Sequence, residues 1–291
     1  MLELPDGRTL AFDDLGPAHA EPVVYLHGTP DSRLARHPDD TLAASTGARL
    51  IALDRPGAGR SDRHPGASLT ALGDDLGHLL DHLGLERAAL LGWSAGGLAA
   101  LGAAAVLGER VSAVGLVGTL PPVEAYGDAD LVAALGPSRR PFAELSREVP
   151  AAELAFELAP HLVPQPLTAG LALEHVLEAA GERGRRELAM VSGAAEQMAR
   201  SLQECVIGGM GGLEDDIVLQ LQPGLDLSRV AAPVRTVHGS HDATSPPEVG
   251  VWLVAHLLKG VLEVVPDGGH QLLIPRWVGI LEALVADATD R

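Results

Sequence analysis

The chain is poor in the residues that staple small secreted folds and in those that grip polyanions. Its 291 residues include one cysteine, Cys205, so no intrachain disulfide can form and no cysteine cluster can hold a metal. Lysine is nearly absent too: Lys259 stands alone, and arginine supplies the other basic side chains. Lys and Arg number 21 against 39 Asp and Glu, a formal charge of −18. That balance repels phosphate backbones and anionic membrane surfaces, which argues against nucleic acid or a membrane as partner. The acids are scattered rather than gathered in a tail, so the charge reads as a solubility feature. The bias toward arginine, alanine, glycine and proline reads as a GC-rich coding preference. Missing as well is any apolar stretch of membrane-spanning length free of glycine, proline or charge. The opening Met1-Leu2-Glu3-Leu4-Pro5-Asp6 has neither the basic nor the apolar segment of an export signal. Cytoplasmic residence is the resulting expectation, with a small molecule as the partner.

What is present is a chain long enough to bury a full core, 46% apolar, in which buried-strand runs alternate with helical spacing. Residues 2–14 read as a β-hairpin around Asp6-Gly7. Residues 23–26 and 49–53 are continuous apolar runs, as strands covered on both faces require, with a helix expected over 32–46 between them. Leu69, Leu72, Leu76, Leu79, Leu80 and Leu83 recur at helical spacing. Residues 88–91 read as strand, 95–107 as helix and 111–117 as strand, the alternation of a parallel sheet flanked by helices. From 121 to 230 the alternation stops. Helical pieces are expected there at 129–135, 151–158, 167–180, 185–205 and 215–222, with Gly208-Gly209-Met210-Gly211-Gly212 as a hinge or tight turn. Strand runs return at 234–238 and 262–265, and a last helix is expected over 275–288.

The chain is organised around Gly92-Trp93-Ser94-Ala95-Gly96, which fits a strand–turn–helix elbow that thrusts a serine hydroxyl outward. Acyl transfer through serine needs a base, an acid to orient that base, and donors for the developing oxyanion. Asp242 follows the run 234–237 and His270 follows the run 262–265, and the order Ser94, Asp242, His270 matches the elbow. The backbone N–H of Ala95, opening a helix, is one candidate oxyanion donor. That of Thr29 is the second: Gly28 permits close approach there, and Pro30 sets the turn. Trp93 either lines a substrate pocket or faces the sheet. Asp54, Arg55 and Ser61 read as loop braces, and His27 and His238 as loop supports rather than metal ligands. Met190, Met198 and Met210 either line an apolar pocket or pack the core.

These motifs resemble the α/β-hydrolase superfamily, and within it the bacterial serine hydrolases. The resemblance is carried by His27-Gly28-Thr29-Pro30, Asp54-Arg55-Pro56-Gly57-Ala58-Gly59-Arg60-Ser61-Asp62, Gly92-Trp93-Ser94-Ala95-Gly96-Gly97, His238-Gly239-Ser240-His241-Asp242 and Gly268-Gly269-His270. It implies a mostly parallel eight-stranded sheet flanked by helices, with a core of residues 1–120 and 231–291 and an inserted helical cap at 121–230. It also implies Ser94 as nucleophile, His270 as base, Asp242 as orienting acid, Ala95 and Thr29 as oxyanion donors, and neither metal nor organic cofactor. Family members that cleave epoxides or carbon–halogen bonds place an aspartate at the elbow, and Ser94 argues against both activities. Gly118 and Thr119 offer no carboxylate at the end of the sixth strand, which strengthens Asp242. The expected activity is hydrolysis of a small or medium carboxylic ester, amide, lactone or thioester through an acyl-enzyme. Alternatives with the same residues are carbon–carbon bond hydrolysis, a lyase reaction, or an aminopeptidase whose cap acid (Glu124, Glu144 or Glu153) reads a substrate amine. A non-enzymatic alternative is a ligand receptor on the same fold.

Overall fold

The computed structural model describes residues 1–137 and 139–290. Its main sheet has seven strands: β3 (Phe12–Leu15), β4 (Glu21–Leu26), β5 (Ala48–Leu53), β6 (Ala88–Trp93), β7 (Val111–Val117), β8 (Val234–Gly239) and β9 (Gly260–Val265). They lie in the order β3-β5-β4-β6-β7-β8-β9, all parallel except β3, which runs antiparallel to β5. The expected eighth strand is not in this sheet. The first ten residues close on themselves instead, β1 (Leu2–Glu3) pairing antiparallel with β2 (Thr9–Leu10) across a turn at Gly7, whose φ of +86° suits glycine.

The apolar runs are continuous because successive strand residues point to opposite faces and both faces are covered. On β4, Val24 and Leu26 face α2 (Ala71–His82) and α3 (Ala95–Leu107), whereas Val23 and Tyr25 face the side of Trp277, Leu281 and Leu284. Those three residues belong to α11 (Trp277–Thr289). Helix α10 (Pro247–His256) covers the far end of the first face through Val249 and Leu253. The helix expected over 32–46 is confined to α1 (Thr41–Ser45). Pro38 interrupts that run, and Arg33 and Arg36 turn inward to Asp54 and Asp13 instead of riding on a solvated helix face.

Between β7 and β8 every described regular element is helical. A short 3₁₀ turn (Val123–Gly127) precedes α4 (Ala129–Ala134), α5 (Arg139–Leu145) and α6 (Ala151–Leu162). Then come α7 (Ala169–Ala189), α8 (Ala194–Cys205) and α9 (Gly211–Gln220). The breaks fall at Gly181 (φ +63°) and at Gly193 rather than between 180 and 185 alone. In the glycine-rich stretch Gly209 makes a turn at φ +94°. A Cβ on Gly212 would lie 1.9 Å from the Gly57 carbonyl oxygen, so this glycine is needed for backbone-to-backbone packing. No helix is long and apolar enough to cross a membrane among the described residues.

Candidate active site

The elbow sits where β6, near the middle of the sheet, meets α3. Ser94 takes φ 54° and ψ −123°, a region that non-glycine residues enter only under strain of about 1–3 kcal/mol. The surrounding glycines have steric reasons. A Cβ on Gly92 would lie 2.5 Å from the Gly96 carbonyl oxygen, and one on Gly96 would lie 2.1 Å from that of Leu26. The Ser94 N–H donates to the Val117 carbonyl at 2.9 Å, which holds the turn against β7.

The loops after β8 and β9 bring two side chains to this serine. Ser94 Oγ and His270 Nε2 are 3.0 Å apart, and His270 Nδ1 and Asp242 Oδ2 are 2.7 Å apart. Asp242 is wholly buried and also accepts the backbone N–H groups of Thr244 and Ser245 at 2.8 Å each. Gly118, at the end of β7, abuts the pair, since a Cβ there would lie 3.2 Å from both Asp242 Oδ2 and His270 Nδ1. Burial pulls the imidazole pKa down, but the charge and hydrogen bond of Asp242, with Glu187 and Asp31 adding, make the net shift upward. In this network Nδ1–H donates to Asp242 and Nε2 accepts from the serine hydroxyl.

The loop after β4 approaches from the other side. A Cβ on Gly28 would come within 3.2 Å of Ser94 Cβ. At the first turn of α3 the Ala95 N–H has no intrahelical acceptor. Trp93 is buried, lines the cavity, and donates from Nε1 to the His270 carbonyl at 3.2 Å, so it contacts both the pocket and the His270 loop. His27 lies below: its Nε2 accepts the Arg55 N–H at 3.1 Å, and burial, then Arg55, depress its pKa strongly. His238 bridges the Ser245 carbonyl and Thr236 Oγ1. Asp54 accepts the N–H groups of Arg33 and Arg60, and Ser61 Oγ donates to the Asp54 carbonyl. No three His, Cys, Asp or Glu side chains converge in metal-binding fashion among the described residues.

Ser94, His270, Thr29 and Trp93 border one cavity of about 460 Å³, walled largely by apolar side chains of the helices between β7 and β8. Met198 lines it, whereas Met190 is exposed and Met210 is only partly buried. Glu124, Glu144 and Glu153 are exposed and absent from its walls. The carboxylate that does line it is Asp31, one residue past the His-Gly-Thr-Pro motif. It is buried and accepts from Ser201 Oγ at 2.9 Å, and burial pushes its pKa up to about 7.

Two further carboxylates tie the inserted helices to the loops. Glu187 of α7 accepts the N–H groups on either side of His270, those of Gly269 at 2.5 Å and Gln271 at 3.0 Å. Asp216 of α9 accepts from Thr29 Oγ1 and from both terminal nitrogens of the buried Arg55. Arg55 in turn donates to the carbonyls of His27 and Gly28, so the loop bearing Thr29 is fixed from both ends.

A seven-stranded, mainly parallel sheet with a serine elbow and strand-end loops defines an α/β-hydrolase. The alpha/beta hydrolase fold model matches residues 21–276, and the chain belongs to that family. It is 35% identical over 131 residues to the putative 2-succinyl-6-hydroxy-2,4-cyclohexadiene-1-carboxylate synthase of Bacillus subtilis, covering 44% of this chain and 47% of that protein. It is 36% identical over 128 residues to a non-heme chloroperoxidase of Streptomyces lividans, covering 43% and 46%. The chain thus spans less than half the length of these curated relatives. Among solved structures, a thermophilic esterase from Thermogutta terrifontis superposes with a TM-score of 0.67 at 22% identity, covering 97% of this chain and 93% of that one. A hydrolase from Pseudomonas aeruginosa superposes with a TM-score of 0.71 at 20% identity, covering 100% and 97%. At these identities the likeness is one of fold.

Proposed function

We propose that the protein is a serine hydrolase that cleaves a small or medium carboxylic ester, or a related amide, lactone or thioester, through an acyl-enzyme on Ser94. The carrying observation is the continuous hydrogen-bonded path from Ser94 Oγ through His270 to Asp242, with separations of 3.0 and 2.7 Å, opening on a cavity. The Ser94 oxygen attacks the acyl carbon while its proton passes to His270 Nε2, and the imidazolium is stabilised by Asp242. The tetrahedral oxyanion is held by the N–H groups of Thr29 and Ala95. Collapse expels the alcohol, which takes the proton from His270. Water then repeats the cycle to release the acid, and no step calls on a cofactor. Trp93 forms part of the pocket wall, and residues 121–230 serve as a cap on a core of residues 1–120 and 231–291. The Thermogutta protein is described as an esterase, the same bond class.

With a p-nitrophenyl ester that the parent cleaves, Ser94→Ala is expected to lower kcat by about four to six orders of magnitude. Near-full turnover by the variant would rule the reading out.

A further inference from the structure

One group on the cavity wall has no part in the proposed chemistry. Arg139, at the start of α5, is 9% exposed and borders the same cavity as Ser94. Four arginines are this deeply buried among the described residues: Arg33, Arg36, Arg55 and Arg139. The first three each have a carboxylate partner, Asp54, Asp13 and Asp216 respectively. Arg139 does not: its Nε and Nη2 are buried without any hydrogen-bond partner. Its guanidinium carbon sits 4.1 Å from the centroid of the Phe142 ring, one turn along the helix, which supports one face and leaves the fork of N–H donors for another group. An arginine keeps its charge at any working pH, and burying that charge unpaired is strongly unfavourable unless a ligand supplies the missing partner.

We propose that Arg139 receives a carboxylate carried by the substrate away from the scissile bond, so that the preferred substrates are acyl compounds bearing a second, non-reacting carboxylate. This rests on the hydrolase reading and deepens it. The fork offers two parallel donors of the spacing a carboxylate accepts. Among the described residues Arg139 is the one arginine or lysine bordering the cavity, beside apolar walls that include Phe142, Leu154 and Leu158, so a monoanion with a short aliphatic chain suits it better than a dianionic phosphate. The carboxylate on the cavity wall, Asp31, is engaged by Ser201 and accepts no hydrogen bond from Arg139 Nε or Nη2.

The test compares mono-p-nitrophenyl glutarate with p-nitrophenyl valerate, equal in chain length and differing at the terminal carboxylate. The parent is expected to favour the glutarate by about 30-fold or more in kcat/KM. In Arg139→Met the ratio falls to one or below, and in Arg139→Lys, which keeps charge without the fork, it lies between. Taking the ratio within each variant cancels any loss of folded protein. A parent ratio near one, or a ratio unchanged in Arg139→Met, overturns the proposal while leaving a Ser94-dependent esterase intact. Calorimetric titration with monomethyl glutarate separates the two readings if neither ester is cleaved. Binding that Arg139→Met abolishes supports the anchor even as the esterase reading fails, and no binding overturns the anchor.

Discussion

Replacing Asp31 by asparagine removes a buried ionisable group while keeping an oxygen that can accept from Ser201. In the folded protein burial lifts the Asp31 pKa from 3.8 to about 7. At about 1.36 kcal/mol per pKa unit, that gap corresponds to a penalty on the ionised form of at most ~4 kcal/mol. The sign follows from linkage. Below pH 3.8 both the folded and unfolded chains hold the proton, and nothing is lost. As pH rises toward 7 the unfolded chain releases its proton while the fold retains it, so stability falls; above 7 the loss is constant. Asp31→Asn is free of this slope. Its stability relative to the parent should therefore rise by about 2.5 kcal/mol between pH 5 and pH 8. Urea unfolding at pH 5, 6, 7 and 8, followed by the fluorescence of Trp93, Trp252 and Trp277, measures the difference directly. A difference that stays flat over this range would refute the account of Asp31 as a desolvated acid on the cavity wall.

Glu187→Gln should move the acid limb of kcat/KM to lower pH. The base must be neutral to act, its pKa is held up in part by the Glu187 charge, and removing that charge lets the imidazole lose its proton sooner. Loss of one of the two carboxylate oxygens that accept the backbone N–H groups flanking His270 should also lower plateau kcat by about 10- to 100-fold; an unmoved pH limb would mean that Glu187 only supports the loop. Asp216→Ala leaves Arg55 buried without its carboxylate and should cost about 3–5 kcal/mol in urea unfolding. A change below 1 kcal/mol would show that Asp216 does not hold the Thr29 loop.

The strands of the main sheet are legible in the sequence because both faces are buried, which forces apolar runs such as 23–26, 49–53 and 111–117. Two segments mislead for physical reasons. Phe12-Asp13-Asp14-Leu15 alternates like a hairpin arm, yet it joins the main sheet as its antiparallel edge. Residues 32–46 have helical composition, but buried ion pairs of Arg33 and Arg36 override that preference. Ser94, Asp242 and His270 stand out by motif and order, and the structure adds the distances between them. Asp31 could have been found from its place beside His27-Gly28-Thr29-Pro30. Glu187 and Asp216 could not, because their partners lie 82 and 187 residues away and each looks like an ordinary acid on a helix. Arg139 is equally silent, since beside Arg140 and Pro141 it reads as a solvated position. Only the folded arrangement separates it from the other arginines.

The central claim is that Ser94 is the nucleophile, and a fluorophosphonate probe with intact-mass and peptide mass spectrometry tests it most directly. Folded protein should take up one equivalent, all of it on the peptide bearing Ser94. Ser94→Ala should take up none, and prior unfolding should abolish labelling. An unlabelled parent, or an adduct on any other residue, would contradict the account.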